Sequence, residues 1–326
     1  MRLGEERVLL TEIRHHAARI EAALLAGEAA RSPIAASWSR SARMHGLSPE
    51  TRRKVPRLTE GELTALRAAM EPTIRTAAPT LDRLFRAVAG LGTCVVLTDR
   101  DGVPLERRGN PGEDREFERA GLWTGTIWSE REAGTNGIGT CIVEGRAVTI
   151  HRDQHFLTAH TGLSCTSAPI HDAEGRLNAV LDVSSASAAC AEPVMALMSH
   201  SVQEAARRIE ADLFRAHFPR ARLVVLPELA GALLAVDADD LVIGASRAAR
   251  SHFGLKGDLT RAPLPCADLL GQSGTDSLEE GERAVIARAL ARARGNASAA
   301  ARSLGISRAT FHRKLIRNSP RNLSQN

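Results

Sequence analysis

The sequence contains no apolar run of the ~18–20 residues that a helix needs to cross a bilayer. Its best stretch, residues 223–236, is interrupted by Pro227 and Glu228, which excludes a membrane span. A secretion signal is missing as well, because three glutamates stand within residues 1–16, where such a signal would be apolar. We therefore expect a cytoplasmic protein without a membrane partner.

Two further absences restrict the chemistry of the chain. The five cysteines, an odd number, include no C-x-x-C pair, so neither a disulfide scaffold nor a zinc finger fits. No G-x-x-x-x-G-K-[ST] motif occurs, which excludes a P-loop and the nucleotide chemistry that it supports. We accordingly predict reduced thiols and no bound cofactor.

Lysine is scarce, and the charge is unevenly distributed. The chain has 43 basic residues, only three of them Lys, against 38 acidic ones, which gives a net charge of +5. From Arg283 to Asn326 there are ten Arg or Lys and no Asp or Glu, so the preceding part is acidic overall. A basic end on an acidic body predicts a nucleic-acid-binding segment.

Residues 1–72 are predicted to be a helical lead-in. Apolar residues recur at helical spacing through residue 24, and a second helical stretch covers residues 34–44. A third begins after Thr59, which can form a capping box with Glu62.

Residues 73–217 are predicted to form an α+β sensor domain. A helix over residues 74–89 precedes short strands separated by tight turns, and a long helix over residues 193–217 closes the domain. The predicted strands cover residues 94–98, 103–107, 147–150, 167–171 and 177–184.

Residues 220–255 repeat the strand–turn–strand–helix order on a smaller scale. A segment of this length buries little by itself, so we expect it to dock onto the sensor or to dimerise. Residues 256–277, rich in Gly, Pro and Ser, are predicted to be a linker.

Residues 278–318 have the spacing of a helix-turn-helix. A helix from Leu278 to Arg294 is followed by one that Asn296 caps, and Gly305 provides the left-handed residue of the turn before a third helix that begins after Ser307. Phe311 and Leu315 point to the core, which leaves polar and cationic residues of the third helix free to reach DNA.

The segment GERAVIARALARARGNASAAARSLGISRATFHRKL resembles the Fis-type helix-turn-helix that ends many bacterial enhancer-binding proteins. That resemblance implies a homodimer on double-stranded DNA with an inverted-repeat operator. The predicted DNA-binding residues are Ser307, Arg308, Thr310, His312, Arg313, Lys314 and Arg317.

Residues 121–183 resemble the GAF sensor domain of regulators of the acetoin-catabolism type. The shared marks include W-S-E at 128–130, G-T-N-G-I-G-T at 134–140 and A-P-I at 168–170. The A-S-W-S-R-S segment at 36–41 resembles the lead-in of those regulators, and residues 220–255 resemble their PAS-like piece. The resemblance favours a pocket for a small organic effector, formed by Trp123, Trp128, Glu130, Asn136, His155, Phe156, His160 and Cys165.

Other uses of these residues remain open at this stage. His155, His160 and Cys165 are a candidate metal or haem site, although a spacing of five residues places two histidines about 140° apart on a helix. Cys165 beside two histidines is also a candidate nucleophile or redox sensor. The G-T-N-G-I-G-T glycines do not follow a strand, so a turn and helix start under the pocket is favoured over a phosphate site.

The overall prediction is a multidomain α+β protein with a helical N-terminal lead-in, a GAF-type α/β sensor, a partial PAS-like piece and a three-helix Fis-type helix-turn-helix. Family members of the sigma-54-dependent kind carry an AAA+ ATPase between sensor and DNA-binding domain, where only residues 256–277 stand here. We therefore predict a one-component transcription regulator, not an enzyme, with operator DNA, RNA polymerase holoenzyme and a small effector as partners. The alternatives are an ATPase-less adaptor of a sigma-54 activator and a thiol, redox or metal sensor.

Overall fold

The computed structural model describes residues 2–51, 54–187, 190–271, 278–293 and 295–317. The chain divides into two compact units, residues 1–263 and 264–326, and each is described by itself. The first unit contains the predicted lead-in, the predicted sensor and the small segment after it. The second contains the predicted helix-turn-helix.

The N-terminal segment is helical, as predicted. Thr59 and Glu62 form the expected capping box, in which the Thr59 side chain accepts from the Glu62 amide at 3.3 Å and the Glu62 carboxylate accepts from the Thr59 amide at 2.8 Å. After the second helix the chain continues as one π-helical turn over residues 40–44. The four helices are α1 (Arg2–Leu25), α2 (Pro33–Ser39), α3 (Glu60–Ala69) and α4 (Glu71–Val88).

A five-stranded antiparallel sheet is the centre of the first unit. Its strands are β1 (Thr93–Asp99), β2 (Pro104–Arg108), β3 (Val148–His151), β4 (Ser164–His171) and β5 (Leu177–Ser185), in the order β2-β1-β5-β4-β3. All five lie where the hydrophobic pattern predicts strands. The long helix α8 (Glu192–His217) packs with α4 against one face of this sheet.

The two faces of the sheet differ because successive side chains of a strand point to opposite sides. On β5, Leu181 and Val183 pack against α4 and α8, whereas Asp182 and Ser184 point to the other face. That second face is covered by three short helices, α5 (Asp114–Ala120), α6 (Glu130–Ala133) and α7 (Gly137–Glu144). The sequence pattern predicted neither α5 nor α6.

The small segment docks onto the end of α8. It contains β6 (Arg222–Val225), β7 (Leu233–Val236), β8 (Leu241–Ala245) and α9 (Arg247–Phe253). The strand β6 was not predicted, whereas β7, β8 and α9 follow the predicted strand–turn–strand–helix order. Phe214 of α8 is buried against Leu233 and Ala235 of β7, so α8 supplies the apolar surface that this segment lacks by itself.

The C-terminal unit contains the predicted three helices in the predicted order. They are α11 (Leu278–Arg292), α12 (Ala297–Ser303) and α13 (Arg308–Arg317). A short strand, β9 (Leu264–Pro265), and a short helix, α10 (Cys266–Leu269), lie inside the segment predicted to be a linker, and residues 272–277 of that segment lie outside the described residues. Across the described part of the chain, no helix combines the length and the apolar character of a membrane span.

Candidate functional site

The helix α13 has one buried side and one exposed side. Ser307 caps it, since its Oγ accepts a hydrogen bond of 3.0 Å from the Thr310 amide. Phe311 is completely buried between α11 and α12. The side chains of Arg308, His312 and Arg313 are exposed on the remaining surface.

The turn before α13 has the predicted geometry. Asn296 caps α12 through its Oδ1, which accepts from the amides of Ser298 and Ala299 at 3.1 and 3.0 Å. Gly305 has a φ of +66°, the left-handed conformation that a residue without Cβ adopts at little cost. Local capping therefore places α13 in a fixed orientation relative to α12.

Two of the predicted DNA-facing residues do not belong to this exposed set. Lys314 forms an ion pair with Glu282 of α11, so its ammonium group is already neutralised within the unit. Arg317 ends α13, and its side chain lies outside the described residues. Its predicted contact with DNA stays a prediction.

Four of the predicted effector residues meet under the sheet face that α5, α6 and α7 cover. The rings of Trp128 and His160 lie 4.7 Å apart, and those of His155 and His160 lie 6.4 Å apart. His155 Nε2 is 3.4 Å from the Sγ atom of Cys165. All four side chains are buried, so this cluster is part of the interior.

The electrostatics of the cluster do not favour a Cys–His nucleophile. Burial lowers the pKa of His155 to about 3 and that of His160 to about 4, so both imidazoles are neutral near pH 7. Burial also raises the pKa of the Cys165 thiol well above its usual value. A reactive cysteine requires the opposite, a stabilised thiolate beside a cation.

Three other predicted effector residues hold the fold together. Glu130 is buried and accepts hydrogen bonds from Ser37 at 2.5 Å and from Arg40 at 2.8 and 3.0 Å. Asn136 caps α7 and uses its amide nitrogen on the Gly134 carbonyl at 2.7 Å. Phe156 packs into the core of the lead-in helices, away from Trp128.

Trp123 is the predicted effector residue that reaches the surface. Its indole is half-buried, and the guanidinium carbon of Arg107 lies 4.4 Å from the ring centroid. Arg107 also forms an ion pair of 2.7 Å with Asp114 of α5. The geometry is that of a cation–π contact, which holds the indole in place.

A buried acid on the covered sheet face was not among the predicted site residues. Asp182 accepts hydrogen bonds from Ser167 and Ser184 at 2.5 and 2.6 Å, and burial raises its pKa to about 6. A Cβ atom on Gly137 would lie 2.6 Å from Ser167 Oγ, so α7 is packed closely over this acid. An acid inside an otherwise apolar strand was the available sequence signal.

Metal binding was left open by the sequence. Within the part of the chain that the structure describes, no group of three or more His, Cys, Asp or Glu side chains is arranged to hold a metal ion. In the described residues, the contact between His155 and Cys165 is therefore not part of such a group.

Comparisons with known proteins assign both units. Residues 13–210 match the family described as "MimR, N-terminal domain", which is more than half of the chain. The chain belongs to the MimR N-terminal-domain family. Residues 277–317 match the family "Bacterial regulatory protein, Fis family", which agrees with the three-helix unit around α13.

Two curated relatives of this MimR-type chain are named as transcription regulators. The acetoin catabolism regulatory protein of Cupriavidus necator is 35% identical over 72% of this chain, and the propane 2-monooxygenase operon activator MimR of Mycolicibacterium smegmatis is 31% identical over 53%. The chain spans only 36% and 29% of the length of these two relatives. The predicted resemblance to acetoin-catabolism regulators is confirmed, and the relatives' names agree with a protein that is not an enzyme.

A solved structure resembles the N-terminal fold. The chain aligns to a component of the Escherichia coli DhaR(N)–DhaL complex with a TM-score of 0.52 at 17% identity, over 69% of this chain and 76% of that one. At this identity the similarity concerns the fold alone.

Proposed function

We propose that this MimR-type chain is a transcription regulator that binds operator DNA through α13. The observation that carries the proposal is the exposed set of Arg308, His312 and Arg313 on a helix whose opposite side is anchored by Phe311. A helix of this size fits the major groove, and a homodimer would place two such helices on an inverted repeat.

The residues of α13 have separate roles in this proposal. Arg308 stands in the first turn, where an arginine can bind the O6 and N7 atoms of guanine for about 1–3 kcal/mol of discrimination. Thr310 and Arg313 hold phosphates, which position the protein without reading bases. Lys314 contributes less than Arg313, because a phosphate has to compete with Glu282 for its ammonium group.

The experiment is binding of the full chain to DNA from the region upstream of its own gene, followed by gel shift and footprinting at several salt concentrations. We expect Arg308→Ala to weaken specific binding and reduce sequence preference. Arg313→Ala should weaken binding to operator DNA and to random DNA alike. It should also reduce the slope of log affinity against log salt concentration by about one. Arg220→Ala removes an exposed arginine of the N-terminal unit and is the matched control. Equal affinity for operator and random DNA would contradict the proposal.

The N-terminal domain is proposed to control this binding as a GAF-type sensor for a small molecule, with residues 220–255 as a PAS-like piece. The two curated relatives are named for acetoin catabolism and for a propane 2-monooxygenase operon, and this supports an effector among small organic molecules. Footprinting with and without small alcohols, ketones and aldehydes tests the control. A footprint that no candidate compound alters would count against it.

A second candidate is an adaptor that binds a complete sigma-54 activator and modulates its action on RNA polymerase holoenzyme. The observation in its favour is that only residues 211–276 separate the two family matches, and no P-loop motif occurs in the chain. Co-purification of the tagged full chain with such an activator, together with loss of the operator footprint when that activator is deleted, would favour the adaptor.

A further inference from the structure

A surface cleft of about 800 Å³ lies beside α5 in the N-terminal unit. Its walls are formed by residues from the segments 54–57 and 120–126, by one side of α5, and by Ala159 and His160. A volume of this size accommodates a small organic molecule. Of the predicted effector residues, only Trp123 and His160 line it.

The charge of the cleft is positive. Among the described residues, no carboxylate forms an ion pair with Arg115, Arg119 or Lys54. Arg57 does have a partner, since its Nη2 lies 3.6 Å from Glu60 Oε1. A concave surface with an excess of one charge concentrates ligands of the opposite charge. The lining contains four cationic side chains against one carboxylate: Lys54, Arg57, Arg115, Arg119 and Glu118.

The wall of the cleft also contains apolar surface and, directly beneath it, a buried hydrogen-bonding atom without a partner among the described residues. Trp123 is held by Arg107 at 4.4 Å, so its indole is a fixed part of the wall. His160 is 2% exposed, and its Nδ1 has no hydrogen-bond partner among the described residues. Its lowered pKa keeps the imidazole neutral, so this atom suits a neutral hydroxyl group better than a second anion.

We propose that the cleft binds a small organic carboxylate. Arg115 and Arg119 pair with the carboxylate, Trp123 contacts the apolar body of the molecule, and His160 Nδ1 forms a hydrogen bond with a hydroxyl group. This assignment rests on the proposed control by an effector, and it names the chemical class of that effector. Inorganic phosphate would form ion pairs with the arginines, but it has no apolar body to contact Trp123 and would not reach His160.

The test is isothermal titration calorimetry of the full chain at constant ionic strength. The probes are benzoate, 2-hydroxybenzoate and lactate, each paired with its neutral amide, and inorganic phosphate as a separate probe. We expect saturable binding of at least one carboxylate, no binding of its amide and no competition by phosphate at equal concentration. A preference for 2-hydroxybenzoate over benzoate would support the role of His160.

The double variant Arg115→Ala/Arg119→Ala should bind the carboxylate about tenfold more weakly or worse, because charge-assisted hydrogen bonds to the ligand are lost. The variant Arg86→Ala/Arg220→Ala also removes two exposed arginines, but away from the cleft, and should bind as the wild type does. Circular dichroism of both variants verifies that they fold.

Three results would overturn the proposal: amides that bind as tightly as their acids, a double variant with unchanged affinity, or no saturable binding of any probe. Failure of the proposed function is a different result. A carboxylate that binds in the cleft without altering the operator footprint would leave the ligand class standing and remove the control. Absence of any operator footprint, with or without ligand, would remove the regulator itself.

Discussion

Arg40 and Glu130 join the lead-in helices to the α/β domain through two hydrogen bonds, of 2.8 Å from Nε and 3.0 Å from Nη2. The Glu130 side chain is only 1% exposed, and Arg40 is the cation that lies against its buried carboxylate. Arg40 also reaches Glu144 at 2.9 Å, at the end of α7. The A-S-W-S-R-S segment therefore contacts both α6, through Glu130, and α7, through Glu144.

Arg40→Ala should strongly destabilise the N-terminal unit. The substitution leaves the Glu130 carboxylate buried without a counter-charge, which costs roughly 3–5 kcal/mol in comparable buried pairs. Urea denaturation followed by tryptophan fluorescence measures the effect, because all three tryptophans lie in this unit. Arg43→Ala, an exposed neighbour on the same turn, is the control and should cost far less. The double variant Arg40→Ala/Glu130→Gln should recover part of the loss.

Asp182 should make the unfolding free energy fall as the pH rises from about 4 to about 6. Its pKa is raised by burial to about 6, so the folded state binds a proton more tightly than the unfolded state does. This stabilisation is complete at pH values below the pKa of Asp182 in the unfolded state, and it is lost as the pH rises through the pKa in the folded state. It amounts to roughly 2–3 kcal/mol.

Asp182→Asn should remove this dependence. The buried histidines titrate in the opposite sense, since their lowered pKa values make the protein more stable as the pH rises. The informative quantity is therefore the difference between wild type and variant at each pH, from chemical denaturation. A constant difference between pH 4 and pH 7 would show that Asp182 does not titrate in this range.

Cys165 should react slowly with iodoacetamide in the native protein. It is 3% exposed, its thiol pKa is raised, and its neighbour His155 is neutral near pH 7. We expect no preference over Cys94 or Cys141, which are also buried, and rapid labelling of all cysteines in denaturant. Mass spectrometry of tryptic peptides measures the rates, and selective native labelling of Cys165 would revive the redox alternative.

The substitutions Gly305→Ala and Gly281→Ala should have opposite effects in the C-terminal unit. Gly305 has a φ of +66°, where a Cβ costs about 1–2 kcal/mol although nothing lies within 4 Å of it. Gly281 is inside α11, where alanine is favoured by up to about 1 kcal/mol. Hydrogen exchange of peptides from α11 to α13 in the full chain would measure the change in stability that each substitution causes. Changes of the same sign for the two substitutions would contradict the assignment of the turn.

Elements with local signals were predictable from the sequence alone. The turn at Gly305, the caps at Asn296 and Ser307 and the capping box at Thr59 depend on residues within four positions of one another, and all four are confirmed. The strands of the central sheet were also predictable, because their apolar side chains alternate or run without interruption. The resemblance to acetoin-catabolism regulators and to the Fis-type helix-turn-helix was also visible in the sequence, and the comparisons confirm it.

Which polar residues are structural and which line a cleft depends on long-range packing. Glu130 bonds Ser37 from a distance of 93 residues, and Phe156 is covered by helices that precede the sheet, contacts that no local pattern encodes. The cations of the cleft beside α5 come from separate segments, and each resembles an ordinary surface arginine or lysine in the sequence. A side chain's role depends on its partners, and long-range packing sets these partners.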